Sequence, residues 1–442
     1  MMRLSGAMGM IGSMVLAAAL TGCGGSGGES DPVVTPAVIA PAATGASYVV
    51  FAWNDLGMHC LNPTYDTAVI LPPYNTVWAQ VVKRGNPPQI VTAGLTVEYR
   101  ILNNTVSSTK GTFGQFWTYV QQLFGVTLAP DTGLNLEDPA IHNGLSGTMV
   151  AKTDHFQVNG IPVTPIDDSL VWNPYQVIEV TVKDGTGTTV AQTRATVPTS
   201  DEMNCAKCHG ANPFLNILQA HDADIGTTLV AQQPVLCASC HGSPALGQSG
   251  SGTSGKYLSE AIHGFHATRG ATCYDCHPGN TTQCNRSLAH TAADGNCSNV
   301  SCHGSMATVA STITSGARIP WLNEPKCATC HVGIAEVDTG AVLYRNAMGH
   351  GGVYCASCHG SPHAMVPSRQ ASDNYQPLQY QSAVQTIGSC GVCHAGSKGA
   401  GLGEFLSQHG SGGIATACNV CHTVVSSVNA ADWPHQYQWL NR

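Results

Sequence analysis

Charged side chains are scarce in this sequence, and basic ones are the scarcer kind. Asp, Glu, Lys and Arg make up 10% of the 442 residues, with 18 basic against 26 acidic residues and a formal net charge of −8. Proteins that bind nucleic acid through its phosphates concentrate Lys and Arg on their surface. We therefore do not expect a nucleic acid among the partners of this chain.

Long hydrophobic runs are also lacking, apart from one near the start. An apolar stretch from Met8 to Leu20 follows a short basic segment and is followed by Cys23. The stretch is too short to span a bilayer and is typical of a lipoprotein signal. We expect residues 1–22 to be removed and Cys23 to carry an anchoring lipid; the alternative is an ordinary signal with Cys23 as a bystander. Residues 23–47, rich in Gly, Pro, Ser and Ala, are predicted to form a flexible tether.

The cysteines, in contrast, are numerous and regularly placed. Seven copies of C-x-x-C-H are present, whereas a random order of the same composition would give about 0.035 copies. An eighth copy has the wider spacing C-x-x-x-x-C-H. In chain order, motifs 1 to 8 are formed by Cys205, Cys208 and His209; Cys237, Cys240 and His241; Cys273, Cys276 and His277; Cys297, Cys302 and His303; Cys327, Cys330 and His331; Cys355, Cys358 and His359; Cys390, Cys393 and His394; and Cys418, Cys421 and His422.

Each motif has the composition of a covalent haem attachment site. Two thiols add to the two vinyl groups of a haem c, and the histidine that follows becomes the proximal ligand of the iron. The two additional residues between the cysteines of motif 4 lengthen the backbone loop between them and leave the two thiols and the histidine available to a haem. Zinc ribbons do not require a histidine after each second cysteine, thioredoxin-like dithiols occur singly, and a disulfide framework would not repeat one spacing. We therefore predict eight covalently bound haems c.

Eight further histidines follow Cys205 outside the motifs, which matches the number of expected irons. They are His221, His263, His266, His290, His350, His363, His409 and His435. We predict that they are distal ligands in bis-histidine coordination; the alternative is that a methionine such as Met306, Met348 or Met365 replaces one or two of them. The order along the chain does not show which distal histidine serves which motif. A second strong ligand closes the iron to substrates and leaves electron transfer as its role.

Aromatic residues and long periodic helices are scarce in residues 201–442. The motifs leave roughly 29 residues for each haem, too few for each porphyrin to have its own apolar core. We predict an octahaem cytochrome c domain, rich in loops and short helices, that wraps around a quasi-linear array of haems.

Residues 48–200 have a different character and favour β-structure. The apolar residues of the run from Ile178 to Val182 alternate with polar ones before an Asp-Gly turn and a second alternating run, which is typical of a hairpin. The segments TVWAQVV from Thr76 and LTVEYRIL from Leu95 are further strand candidates. We predict an N-terminal β-rich, sandwich-like domain that folds without haem.

Two cysteines, Cys60 and Cys284, remain after the motifs and Cys23. Met58, His59 and Cys60 are soft ligands that could hold copper, although a turn at a strand end with a buried thiol explains the same residues. Cys284 is either a free buried thiol, which we favour, or the disulfide partner of Cys60.

The haem region resembles the exported multihaem c-type cytochromes of metal-reducing bacteria. The stretch DGNCSNVSCHG, followed by Trp321 and CATCH at Cys327, is similar to a domain that recurs in their outer-surface members, and this close resemblance covers residues 294–331. WNDLGMHC, at residues 53–60, is similar to a segment of related secreted proteins. The resemblance implies an electron conduit at the outer membrane or cell surface. Some family members polymerise into haem-lined filaments, but here the haem region follows a β-rich domain, unlike in those members.

We expect an electron carrier that serves external acceptors such as metal oxides. The expected partners are other redox proteins of the periplasm or outer membrane, a membrane reached through the lipid anchor, and further copies of the chain in a homo-oligomer or filament. Two alternatives remain. A reductase of nitrogen or sulfur oxyanions often marks its open iron with a Lys in place of the motif histidine, and no motif here has this replacement. The other alternative is a structural protein whose active part is the β-rich domain.

The intact mass of the mature protein should exceed that of residues 23–442 by eight haems and one lipid. Mass spectrometry of the membrane-extracted protein measures both additions. An excess of only seven haems would contradict the interpretation of motif 4, and an unmodified Cys23 would contradict the anchor.

Overall fold

The structure is a computed structural model that describes residues 46–85, 87–279, 281–288, 290, 297–299, 302–327 and 342–395, without the side chains of His350 and Cys390. The predicted signal and lipid site, almost all of the tether, motif 8, and the candidates Cys330, His331, His409 and His435 lie outside these residues.

The described strands are concentrated before residue 201. They are β1 (Tyr48–Asn54), β2 (His59–Cys60), β3 (Ala68–Val69), β4 (Asn75–Lys83), β5 (Gln89–Ile90), β6 (Leu95–Leu102), β7 (Ser146–Thr148), β8 (Val150–Ala151), β9 (Phe156–Ile161), β10 (Tyr175–Asp184), β11 (Thr189–Ser200) and β12 (Val235–Leu236).

The described helices are short and lie mostly after residue 201. They are α1 (Gln115–Phe124), α2 (Ala206–His209), α3 (Pro213–Ile225), α4 (Leu258–His266), α5 (Met306–Thr314), α6 (Cys355–His359) and α7 (Tyr375–Gln381), with short 3-10 helices between them. None of the helices in the described ranges has the length and hydropathy needed to cross a membrane. The prediction of a β-rich region followed by a loop-rich region with short helices is confirmed.

Two sheets of five strands each contribute to the main hydrophobic core of the described chain. The first has the order β1-β4-β9-β8, with β5 paired to β4, and the second has the order β2-β11-β10-β6-β7. Alternate residues of each strand point into this core, as the two-residue period of a strand requires. Its fully buried members include Val50, Val77, Ala79 and Val81 of the first sheet and Val97, Ile178, Val180 and Val197 of the second.

The predicted hairpin is formed by β10 and β11, which pair antiparallel. The apolar residues between Ile178 and Val182 are buried in the core as expected. Glu179 on the opposite face is buried as well, because Arg100 and Arg194 form hydrogen-bonded ion pairs with it. The outer face of this sheet is therefore covered locally around Glu179, and the guanidinium of Arg194 also lies 5.7 Å from the ring centre of Tyr375 in α7.

Helix α1 was not expected in the β-rich region. Its buried residues, Phe116, Val120 and Leu123, follow the helical spacing i, i+4, i+7. Gly125 ends the helix in the left-handed conformation, with a φ of 71°. The segment carries the pattern of an amphipathic helix, and its ten residues pack against Leu61 and Tyr65 in a second core.

A further apolar cluster joins the β-rich region to motifs 6 and 7. We call it the outer cluster; its buried members are Val49, Phe51, Trp53, Val82, Tyr354, Ala356 and Val392. The members on β1 lie on the face turned away from the main core, because they alternate with the core residues Val50 and Ala52. The two regions share this cluster, so cutting the chain at residue 200 would expose this face to water. Folding of the β-rich region without haem stays a prediction.

Polar contacts also join the two regions. The backbone of Ala52 and the side-chain amide of Gln376 in α7 form hydrogen bonds in both directions. Arg286, which is 1% exposed, donates from Nη1 to the carbonyl oxygen of Gly57 at 2.8 Å and from Nε to Asp373 at 2.8 Å. The short strand β12, directly before motif 2, pairs in parallel with β3.

Replacing Arg286 with Met should destabilise the protein by about 3–5 kcal/mol, because the carboxylate of Asp373 would remain buried without its cation. The free energy of unfolding, measured with denaturant, checks this value. Lys152→Met is the matched control, since Lys152 forms an exposed ion pair with Glu137 that should contribute about 0–1 kcal/mol. Equal losses in the two variants would contradict the importance of the buried pair.

Candidate functional site

Motifs 1, 2, 3, 6 and 7 contain single helical turns. The backbone N–H of the histidine donates to the carbonyl oxygen of the first cysteine in motifs 1, 2 and 3, at 2.9, 3.1 and 2.8 Å. Motif 6 is itself the helix α6, and motif 7 begins with a 3-10 helix. Because residues four apart on a helix lie on the same face, the turn places the histidine beside the first cysteine. The local geometry thus follows from the spacing of the motif.

Four motif histidines face a histidine from outside the motifs. The ring centres are 6.3 Å apart for His209 and His266, 6.4 Å for His241 and His221, 6.2 Å for His277 and His263, and 6.2 Å for His303 and His363. Motifs 1 to 4 each contribute one ring, and the partner is in every case one of the predicted distal ligands. Sequence order did not indicate this pairing.

The ring separation in these pairs fits one metal ion between two imidazoles. A metal–imidazole bond is about 2.0–2.1 Å, and the ring centre lies about 1.2 Å behind the nitrogen, so two opposed rings have centres about 6.4 Å apart. Ring pairs elsewhere in the described chain cover the same range, since the centres are 4.2 Å apart for Trp78 and His155 and 6.4 Å apart for His59 and Tyr74. The separation is therefore compatible with a shared metal ion, and the combination of one motif and one non-motif histidine in each pair is the more specific observation. These residues fit a haem iron.

Hydrogen bonds at Nδ1 orient most of these rings. His209 contacts Oδ1 of Asn216 at 2.8 Å, and His221 contacts Oγ1 of Thr227 at 2.9 Å. His263 and His266 donate to the carbonyl oxygens four residues earlier, at 2.7 and 2.8 Å. A proton held on Nδ1 leaves the lone pair on Nε2, which is the arrangement found in histidines that bind metal.

His303 is an exception to this pattern. Its Nδ1 lies 3.2 Å from Nη2 of Arg318, a donor, so the contact favours a proton on Nε2. The ring must exchange tautomers, or Arg318 must turn away, before Nε2 can bind a metal.

Burial favours the neutral form of the four rings in the pairs of motifs 3 and 4. It lowers the pKa of His277 to about 4, and nearby His263 lowers it further. It also lowers the pKa of His303 to about 4, with smaller contributions from Arg318 and His363. Burial likewise lowers the pKa of His263 and of His363. A neutral imidazole is the form that binds a metal.

Helix α4 contributes a histidine to two different pairs. His263 faces His277 of motif 3, and His266 faces His209 of motif 1. Residues three apart on a helix are neighbours on its surface, with Cβ atoms about 5–6 Å apart. The ion pair between Lys207 and Asp275, with a distance of 2.6 Å, also joins motifs 1 and 3. The spacing H-x-x-H was a signal that sequence reasoning could have used.

The other candidates lie in the later motifs or outside the described residues. Nδ1 of His290 is 3.4 Å from Oγ of Ser287, and His359 ends α6. His394 forms an isolated bridge with Gly85 in the β-rich region. The backbone of His350 lies in a 3-10 helix. In the described ranges, no three His, Cys, Asp or Glu side chains converge as a metal site.

The Met58–His59–Cys60 segment has the structure of a tight turn that leads into a strand. Gly57 has a φ of 78°, and Nε2 of His59 lies 3.0 Å from Oδ1 of Asp55. Met58 and His59 are both buried, and the ring of His59 stacks on that of Tyr74. The contacts of His59 are thus explained by the turn.

Comparisons with models of protein families, with curated proteins and with solved structures found no significant match to this chain.

Proposed function

We propose that the protein is an exported electron carrier that holds eight covalently attached haems c, mainly with two histidine ligands each. The observation that supports this most directly is the set of four histidine pairs with ring centres 6.2–6.4 Å apart, each made of one motif and one non-motif residue. Chance contacts between rings would not select one partner of each kind.

The residues of each site have distinct roles in this proposal. The two cysteines of a motif hold the haem through thioethers, and the motif histidine is its proximal ligand. The second histidine occupies the distal position and excludes substrates from it. A bound haem supplies one-electron redox chemistry at a low potential when both axial ligands are imidazoles.

The first four motifs follow one another in space through shared elements. Helix α3 joins motifs 2 and 1, because its His221 faces His241 and its Asn216 contacts His209. Helix α4 joins motifs 1 and 3 as described above. The phenol of Tyr274, within motif 3, lies 3.7 Å from Sγ of Cys297 in motif 4. The binding segments therefore run in the order 2, 1, 3, 4, which differs from their order in the chain.

The later motifs continue this series. His363, which faces His303 of motif 4, lies four residues after His359 of motif 6. The N–H of Ile387, three residues before motif 7, donates to the carbonyl oxygen of Cys358 at 3.1 Å. The hydroxyl of Tyr344 donates to the carbonyl oxygen of Gly360, directly after motif 6, at 2.9 Å, and its backbone N–H donates to the carboxylate of Glu324, three residues before Cys327 of motif 5. Motif 5 is thus beside motif 6, and a continuous path across the described motifs is the arrangement that an electron carrier requires.

In this proposal, the β-rich region packs against motifs 6 and 7. The outer cluster packs there, and the indole nitrogens of Trp53 and Trp78 are buried without an acceptor among the described residues. A buried donor without a partner costs about 1–3 kcal/mol. Haem propionates are acceptors of the kind that these N–H groups lack.

The cellular setting is part of the same proposal. The lipoprotein signal and the family resemblance support anchoring at the outer membrane or cell surface, with redox proteins as donors and external oxidants such as metal oxides as acceptors. The arrangement of the β-rich region supports a carrier more than a filament subunit, because much of its sheet surface is covered by its own chain.

Replacing His266 with Ala should open one iron to carbon monoxide in the reduced full-length protein. The native protein should bind none, because every distal position is occupied, whereas the variant should bind about one molecule per chain. Optical titration measures the stoichiometry. His142→Ala is the control, since His142 is exposed in the β-rich region and has no predicted role as a ligand. Binding by the native protein, together with turnover of nitrite or hydroxylamine, would favour the reductase instead.

The four pairs should also give two classes of low-spin signal in electron paramagnetic resonance. The ring planes cross at 76° and 82° in the pairs of motifs 1 and 2, but at 29° and 24° in those of motifs 3 and 4. Crossed planes leave two iron orbitals nearly equal in energy and give a more anisotropic signal than parallel planes do.

The oxidised full-length protein should therefore show both signals, and the His266→Ala variant should lose intensity from the anisotropic class. A loss from the other class would contradict the pairing of His266 with His209.

A further inference from the structure

The two cysteines outside the motifs are brought to neighbouring segments. Cys60 ends β2 and lies opposite Ser200 of β11 in the parallel pair. Oγ of Ser200 lies 3.1 Å from Oγ1 of Thr282, in a buried contact. Thr282 is two residues before Cys284, so the segment that contains Cys284 begins beside β11, the strand paired with β2, which carries Cys60.

A second contact fixes the other side of Cys284. Arg286 donates from Nη1 to the carbonyl oxygen of Gly57 at 2.8 Å and to that of Cys284 at 3.4 Å. Thr282, two residues before Cys284, is thus held against β11 opposite Cys60, and Arg286, two residues after it, is held against the turn that leads into β2. Two independent hydrogen bonds therefore align the two cysteine segments.

Both thiols are unpaired in the structure, and their surroundings agree with this alignment. Burial raises the pKa of Cys60 to about 12, and Cys284 and Glu202 add smaller contributions in the same direction. Burial raises the pKa of Cys284 to about 11, with Arg286 opposing it and Cys297 of motif 4 adding to it. Thiols of this kind react slowly in the folded state, because only the thiolate attacks a disulfide.

We propose that Cys60 and Cys284 form a disulfide bond that joins the β-rich region to the segment between motifs 3 and 4. The two thiols lose two protons and two electrons, a sulfur–sulfur bond forms, and the disulfide of an exported thiol oxidant is reduced to two thiols. Export, which the N-terminal signal predicts, supplies an oxidising compartment. The low reactivity of the folded thiols implies that the bond forms before the chain closes around them.

The bond has a consequence for haem attachment, and this consequence rests on the proposed function whereas the bond itself does not. Cys284 precedes Cys297 by 13 residues in the chain, so its free thiol would compete with the attachment thiol of motif 4 for a vinyl group. Pairing with Cys60 removes the competitor. The two cysteines of motif 4 are the farthest apart in sequence, so we expect an additional thiol to interfere with haem attachment most strongly at this motif.

Counting alkylated thiols in the full-length protein tests the proposal. Iodoacetamide in denaturant should label no cysteine before reduction and two after it, because the other cysteines carry haem or lipid. Mass spectrometry counts the labels. Cys60→Ser and Cys284→Ser, compared as variants that have acquired their haems, should each show one label before reduction.

Two labels before reduction, or a crosslink between Cys284 and Cys297 in the digest, would overturn the proposal. Failure of haem attachment gives a different result, because the motif cysteines would then be labelled or crosslinked as well. The two proposals can thus fail separately.

Discussion

The fixed separation of two opposed imidazoles is the constraint on which the second half of this protein depends. The partners come from segments that are 14 to 60 residues apart in the chain, so each pair closes a loop. A chain with few aromatic residues could not close so many loops by hydrophobic burial alone. In the proposed function, histidine pairs that bind a common haem would supply the missing attraction, and short helices and irregular loops would then suffice.

The β-rich region complements this arrangement by providing a preformed surface. Its two sheets bury a complete core of their own, and the outward side of β1 and β4 remains apolar enough to receive Tyr354 and Val392. Gln80 on β4 adds polar contacts, accepting from the backbone N–H of Tyr354 at 3.1 Å. The region therefore acts as a template against which later motifs are placed, and it is not merely a separate module joined by a linker.

Local patterns in the sequence predicted local structure well. The alternation around Ile178 located β10, and the segments at Thr76 and Leu95 lie within strands β4 and β6. Helix α1 was missed although Phe116 and Val120 have helical spacing, because the surrounding strands set the expectation. Pairs such as His209 with His266 could not be predicted, since nothing within a few residues of either ring identifies its partner. The burial of Glu179 depends likewise on arginines from two other strands.

Helix α4 couples the positions of two histidines that belong to different sites. Each residue advances a helix by about 100°, so inserting or deleting a single residue between His263 and His266 would swing one ring to another side of the helix. The same rigidity means that a tilt of α4 displaces both rings together and in related directions. This segment should therefore tolerate substitutions on its exposed face but no change in length, and a swing of its nine residues would disturb motifs 1 and 3 at once.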